Sequence, residues 1–133
     1  MTEPSLHPTA EQLQRLVEAP GEGPVVMLNL LRYAGTANDG SGRTGREAYQ
    51  HYGELVIPML EARGAGFIVY ATTEQTVIGP ADEEWDEMIL VQYPSRAAFL
   101  AMITDADYLA AHVHREAGLA DSRLVATTRI DGA

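Results

Sequence analysis

Cysteine and lysine are both missing from this chain. The first absence removes disulfides, thiolate nucleophiles and cysteine-held metals together. The second removes any Schiff-base mechanism. No apolar run reaches the roughly eighteen residues that a membrane-spanning helix needs. Met1-Thr2-Glu3-Pro4 puts no basic residue ahead of an apolar stretch, so no secretory signal is expected. Positive charge is scarce as well. Nine arginines stand against nineteen carboxylates, a formal net charge of -10. Such a surface repels phosphate backbones and anionic lipid, so neither nucleic acid nor a membrane is an expected partner. With cysteine absent, a cytoplasmic location is expected. The glycine-rich phosphate loops, the nucleophile elbow and the H-E-x-x-H metal motif are missing too.

What is present is ordinary globular material. Hydrophobic residues make up 46% of 133. That length suits one domain, 1–133, folding to bury roughly two-thirds of the unfolded chain's surface. A short helix is expected over 9–19, where Thr9 and Gln12 have capping-box spacing and Leu13, Leu16 and Val17 form a stripe. Pro20-Gly21-Glu22-Gly23-Pro24 must turn. The core then runs over 24–131. Val25 to Leu31 is a nearly unbroken apolar run bounded by Pro and Gly, read as a strand buried on both faces. Tyr33 to Arg43 reads as a loop. Thr44 and Glu47 open a second helix over 45–63, with Pro58 expected to kink it. Phe67 to Ile78 and Trp85 to Tyr93 read as a hairpin around a polar turn. Asp82, Glu83, Glu84, Asp86 and Glu87 read as part of that solvated turn. Ser95 caps a further helix and Asp105 begins more helical turns ending near Gly118. Leu124 to Ile130 is the expected closing strand.

Strand, helix, strand, strand, helix, strand is the ferredoxin-like split βαβ order. The expected fold class is therefore α+β: an antiparallel sheet with the helices on one face and an extra N-terminal helix. The other face would carry Val25, Met27, Leu31, Ile89 and Val91, or their alternates, and either set is too apolar for water. Pairing two sheets about a two-fold axis would cover that face, which predicts a homodimer with an enclosed space between the sheets.

Several segments carry a resemblance. They are Met27 to Tyr33, Tyr49-Gln50-His51-Tyr52-Gly53, Pro58, Tyr93-Pro94-Ser95-Arg96, and Asp107-Tyr108 with Arg115. Together they resemble the dimeric α+β barrel superfamily and, within it, the family of domain of unknown function 1330. The resemblance implies a ferredoxin-like homodimeric barrel and no established activity. Superfamily members include cofactor-free quinone-forming monooxygenases, lactone isomerases and haem-dependent enzymes, and fold alone assigns none of these chemistries.

Asn29 is the sole polar residue between Val25 and Leu31. A buried amide needs partners: either a ligand carbonyl or hydroxyl, or a neighbouring strand or helix terminus. Of six tyrosines, most are core rings; Tyr52 and Tyr108 fall on the family pattern and are retained as pocket candidates. Tyr108, His112 and Arg115 share one helix face, as an anion or enolate grip or as a plain helix rim. His112 and Glu116 have i,i+4 spacing, but a third and fourth metal ligand are not visible and His51 is remote in sequence, so no metal is expected. His7 sits in a Pro-flanked N-terminal segment expected to be flexible. Arg32, Arg123 and Arg129 suit a barrel mouth or intersubunit ion pairs. No catalytic residue and no cofactor is assigned. The readings are a cavity-bearing dimer acting without cofactor on a small carbonyl or phenolic compound, a non-catalytic binding or stress-response module, and, third, a haem barrel with His51 or His112 as axial ligand.

Overall fold

The computed structural model describes residues 4–19 and 22–132. Met1 to Glu3, and Pro20 and Gly21 of the expected turn, lie outside the described residues. Both capping boxes form. The Thr9 hydroxyl accepts from the Gln12 amide at 3.1 Å and Gln12 Oε1 accepts from the Thr9 amide at 2.9 Å, starting α1 (Ala10–Glu18). Thr44 and Glu47 do the same at 3.1 and 2.8 Å for α2 (Gly45–Ala62). Each pair satisfies two amides that a helix start otherwise leaves orphaned. α2 runs through Pro58 unbroken. Pro58 and Glu54 are both exposed, so the carbonyl that Pro58 cannot bond faces water.

The four strands are β1 (Val25–Tyr33), β2 (Gly66–Thr72), β3 (Glu87–Tyr93) and β4 (Leu119–Thr127), in spatial order β2-β3-β1-β4 with every neighbour antiparallel. Between β3 and β4 lie α3 (Arg96–Ile103), capped by Ser95, and α4 (Ala106–Gly118), capped by Asp105. This is the ferredoxin-like arrangement, with the second of its two helices split into α3 and α4. No helix among the described residues is long and apolar enough to cross a membrane.

Two strands differ from the sequence reading. β2 stops at Thr72, and Val77 and Ile78 project almost fully into solvent beyond the sheet. β4 runs from Leu119, directly after α4, to Thr127, so it starts and ends earlier than the expected Leu124 to Ile130. Asp121 is 2% exposed and accepts from the Ser5 and Ser122 amides, both at 2.8 Å. Its polarity serves an anchor inside the sheet edge.

Strand parity decides which face carries the core. Val25, Met27 and Leu31 of β1, with Ile89, Val91 and Tyr93 of β3, pack under Tyr49, Tyr52, Val56 and Leu60 of α2. The alternates Val26, Leu28, Leu30, Met88 and Leu90 form the helix-free face. Glycine permits the closest helix approach. A Cβ on Gly45 would meet the Ala34 carbonyl oxygen at 2.0 Å, and one on Gly118 would meet the Gly45 carbonyl oxygen at 2.5 Å. The two helix ends are joined through Ala34, whose amide donates to Gly118 at 2.8 Å and whose carbonyl accepts from Gly45 at 3.1 Å.

Candidate functional site

A cleft of about 1390 Å³ lies on the helix-bearing side of the sheet. Met27, Asn29, Ile89 and Val91 form its floor, α2 and α4 its walls, and the Ser5–Thr9 segment with α1 its rim. The chamber thus lies within one protomer, between sheet and helices. It is distinct from the space expected between two sheets, because parity turns Met27 and Asn29 toward α2. A second cavity of about 250 Å³ beside Met59, Met102 and the Arg63–Asp105 ion pair gathers no comparable chemistry.

Asn29, Tyr52, Tyr108, His112 and Arg115 all line the large cleft. Asn29 donates from Nδ2 to the carbonyls of Met27 at 3.3 Å and Ile89 at 3.4 Å. Both partners are acceptors, so the nitrogen is the end turned to them, and the side-chain oxygen accepts nothing from the described residues. Tyr52 and Tyr108, projected from α2 and α4, meet hydroxyl to hydroxyl at 2.9 Å with rings 6.2 Å apart in an edge-on arrangement. Burial pushes both phenols above their ordinary value. They stay neutral, and because only one proton is used between them, the other hydroxyl is left to donate.

His112 stacks 5.6 Å from Tyr108 and shares Nδ1 with Glu116 Oε1 at 2.9 Å. Burial lowers its value more than the Glu116 hydrogen bond raises it. Arg115 is 8% exposed and donates Nη1 to the Leu6 carbonyl at 3.1 Å. One arm of the expected anion grip therefore ties down the N-terminal segment. That segment is not the loose tail expected around His7: Ser5 is clamped to Asp121 and Ser122, Leu6 to Arg115, and Thr9 caps α1. His51 is not in the cleft; its ring lies 4.4 Å from His114 on the far side of α2. Arg32 and Arg123 pair with Asp121 at 3.0 and 2.9 Å and flank Trp85, and Arg129 pairs with Asp131 at 2.7 Å. All three find partners within the chain.

One group escaped the sequence reading. Glu87 belongs to β3 and is 5% exposed, rather than part of the solvated turn. It accepts from Tyr33 and Arg46, and from Tyr70 at 2.8 Å. Burial would raise its carboxyl, and these three donors outweigh burial and hold it below the usual range. The signal was available: Glu87 shares parity with Ile89, Val91 and Tyr93 and so had to face inward. From Glu87 a line of rings, Tyr33, Tyr49, Tyr52 and Tyr108, runs at spacings of 5.2 to 6.2 Å to His112.

Solved structures with the same fold place the chain. A protein of unknown function from Rhodopseudomonas palustris is 38% identical, over 97% of this chain and 98% of that one, with a TM-score of 0.91. SnoaB, a cofactor-independent oxygenase from Streptomyces nogalater, is 12% identical over 80% of this chain and 93% of its own, at TM-score 0.54. A dimeric protein of unknown function and ferredoxin-like fold from Bacteroides fragilis is 10% identical over 80% and 97%, at 0.53. At these last two identities the likeness is one of fold. No curated protein matches the chain. The family model described as domain of unknown function (DUF1330) matches residues 43–128, and with the Rhodopseudomonas relative this establishes that the chain belongs to that family.

Proposed function

We propose that the protein is a homodimeric small-molecule-binding barrel whose cleft takes a small carbonyl or phenolic compound. The observation that carries this reading is the convergence of a neutral phenol pair and an amide oxygen on one aromatic cleft. Tyr52 or Tyr108 donates to a ligand oxygen, Asn29 accepts from a ligand hydroxyl, and apolar rings supply the contact area. Raised phenol values suit hydrogen-bond donation to a carbonyl and not proton abstraction. SnoaB, which shares the fold, is a cofactor-independent oxygenase, and this supports a reading that needs no cofactor.

The helix-free face supports the dimer. Leu28, Leu30, Met88 and Leu90 are only half-buried there, Val69 and Val125 are exposed, and Gln92 Oε1 is buried without a hydrogen-bond partner. A second sheet would cover the first group and offer the last a donor. The haem reading draws little support, with His51 outside the cleft and His112 bonded to Glu116.

Thermal shift against a panel of carbonyl, phenolic and lactone compounds tests the proposal. At least one should stabilise the protein, and Asn29→Ala and Tyr52→Phe should remove most of that shift. A flat response across the panel at millimolar concentrations counts against it. A compound that stabilises without being converted supports the non-catalytic form of the reading.

A further inference from the structure

In the sequence, His112 and Glu116 have no third metal ligand near them on the same helix face. The fold supplies one. His7, which is 105 residues before His112 in the chain, is carried across the rim of the cleft to the same turn of α4. The ligand atoms of His7, His112 and Glu116 lie within 4.8 Å of one another. His112 Nδ1 is 2.9 Å from Glu116 Oε1, and His7 Nε2 is 3.4 Å from Glu116 Oε2. Donors sharing one tetrahedral ion at about 2.1 Å stand roughly 3.4 Å apart, so small side-chain adjustments close the set.

We infer that His7, His112 and Glu116 form a divalent transition-metal site that joins the N-terminal segment to α4 at the mouth of the cleft. Two imidazoles and a carboxylate suit zinc and its neighbours rather than calcium or magnesium, which take oxygen ligands. Three protein ligands leave a coordination position open. All three residues line the cleft, so that position gives onto it, as in metal sites that bind a water or a substrate oxygen. The site is supported on both sides of His7. Ser5 and Leu6 are fixed by Asp121, Ser122 and Arg115, and Thr9 begins α1. Hydrogen bonds that position the chain around a ligand are what a metal site needs beyond its donors. The protein's net charge of -10 favours a cation throughout.

Metal binding needs only these three side chains and stands apart from the ligand reading above. The test is calorimetric titration of untagged, chelator-treated protein with zinc, with cobalt as a spectroscopic probe. One zinc per chain should bind, and cobalt should give visible absorption bands of low coordination number. His7→Ala and Glu116→Gln should each weaken zinc binding at least roughly tenfold and abolish the cobalt bands. Both residues are partly exposed, and unchanged metal-free melting verifies that the variants fold. His51→Ala, remote from the cluster, should bind as the parent does. Absence of saturable zinc binding, or binding that survives His7→Ala, overturns the inference.

Discussion

Asp121 and Glu87 are the two carboxylates most fully removed from water among the described residues, at 2% and 5% exposure. Burial alone would raise both. At Asp121 the amides of Ser5 and Ser122 and the Arg123 guanidinium reverse that, and at Glu87 Tyr33, Tyr70 and Arg46 do. Both therefore titrate lower in the folded chain than in the unfolded one. The unfolded chain then binds more protons as acid is added, so stability is fully present above the ordinary carboxylate range and falls as pH drops through the folded values. Urea melts should show a loss beginning near about pH 4.5 and steepening below it. Asp121→Asn should flatten that acid limb, at a cost of about 2 kcal/mol at neutral pH from the guanidinium bonds lost. An acid limb unchanged in that variant would contradict the assignment. Glu87 could be read from strand parity, whereas Asp121 could not, because a carboxylate followed by Ser and Arg reads as surface until its partners are known. Ser5, one of those partners, is 116 positions away.

Helix starts were the most legible elements, and their energetic weight depends on what each helix buries. α2 packs six residues into the core, from Gly45 to Leu60, whereas α1 buries none. Thr44→Ala should lower global stability by about 1 kcal/mol. Thr9→Ala should leave the global melt nearly unchanged and loosen the rim alone, visible as faster amide exchange in α1. The α2–α4 crossing allows a sharper test. Gly45→Ala pushes a methyl into the Ala34 carbonyl, against backbone that has no rotamer to escape into, and should cost about 3 kcal/mol or prevent folding. Gly53→Ala meets nothing within 4 Å and should stabilise α2 by up to about 1 kcal/mol. Equal effects from the two glycines would show that the close approach is not as described.

At the scale of the whole molecule, the helix-free face is the feature that a single chain leaves unresolved. Light scattering at micromolar concentration should give twice the chain mass of 14.4 kDa. A Leu28→Arg, Val125→Arg double substitution buries two unpaired charges in the proposed interface and should yield a monomer. The cleft lies on the opposite side of the sheet, so such a monomer should retain ligand stabilisation. Loss of binding together with the dimer would place the chamber between the sheets after all.

Local patterning by itself determined the element order, the four strands and the capped helix starts, because those depend on neighbours within four residues. It also marked Asn29, alone in an apolar run, and His112 and Arg115, which share a helix face with Tyr108; Tyr52 and Tyr108 themselves came from the family resemblance, and all five line one cleft. Tertiary structure alone decided which β1 parity faces the helices, since Val25 to Leu31 is apolar at nearly every position and reads the same from either side. It alone brought His7 to α4 and Ser5 to Asp121, because no local period encodes a meeting of residues more than a hundred positions apart.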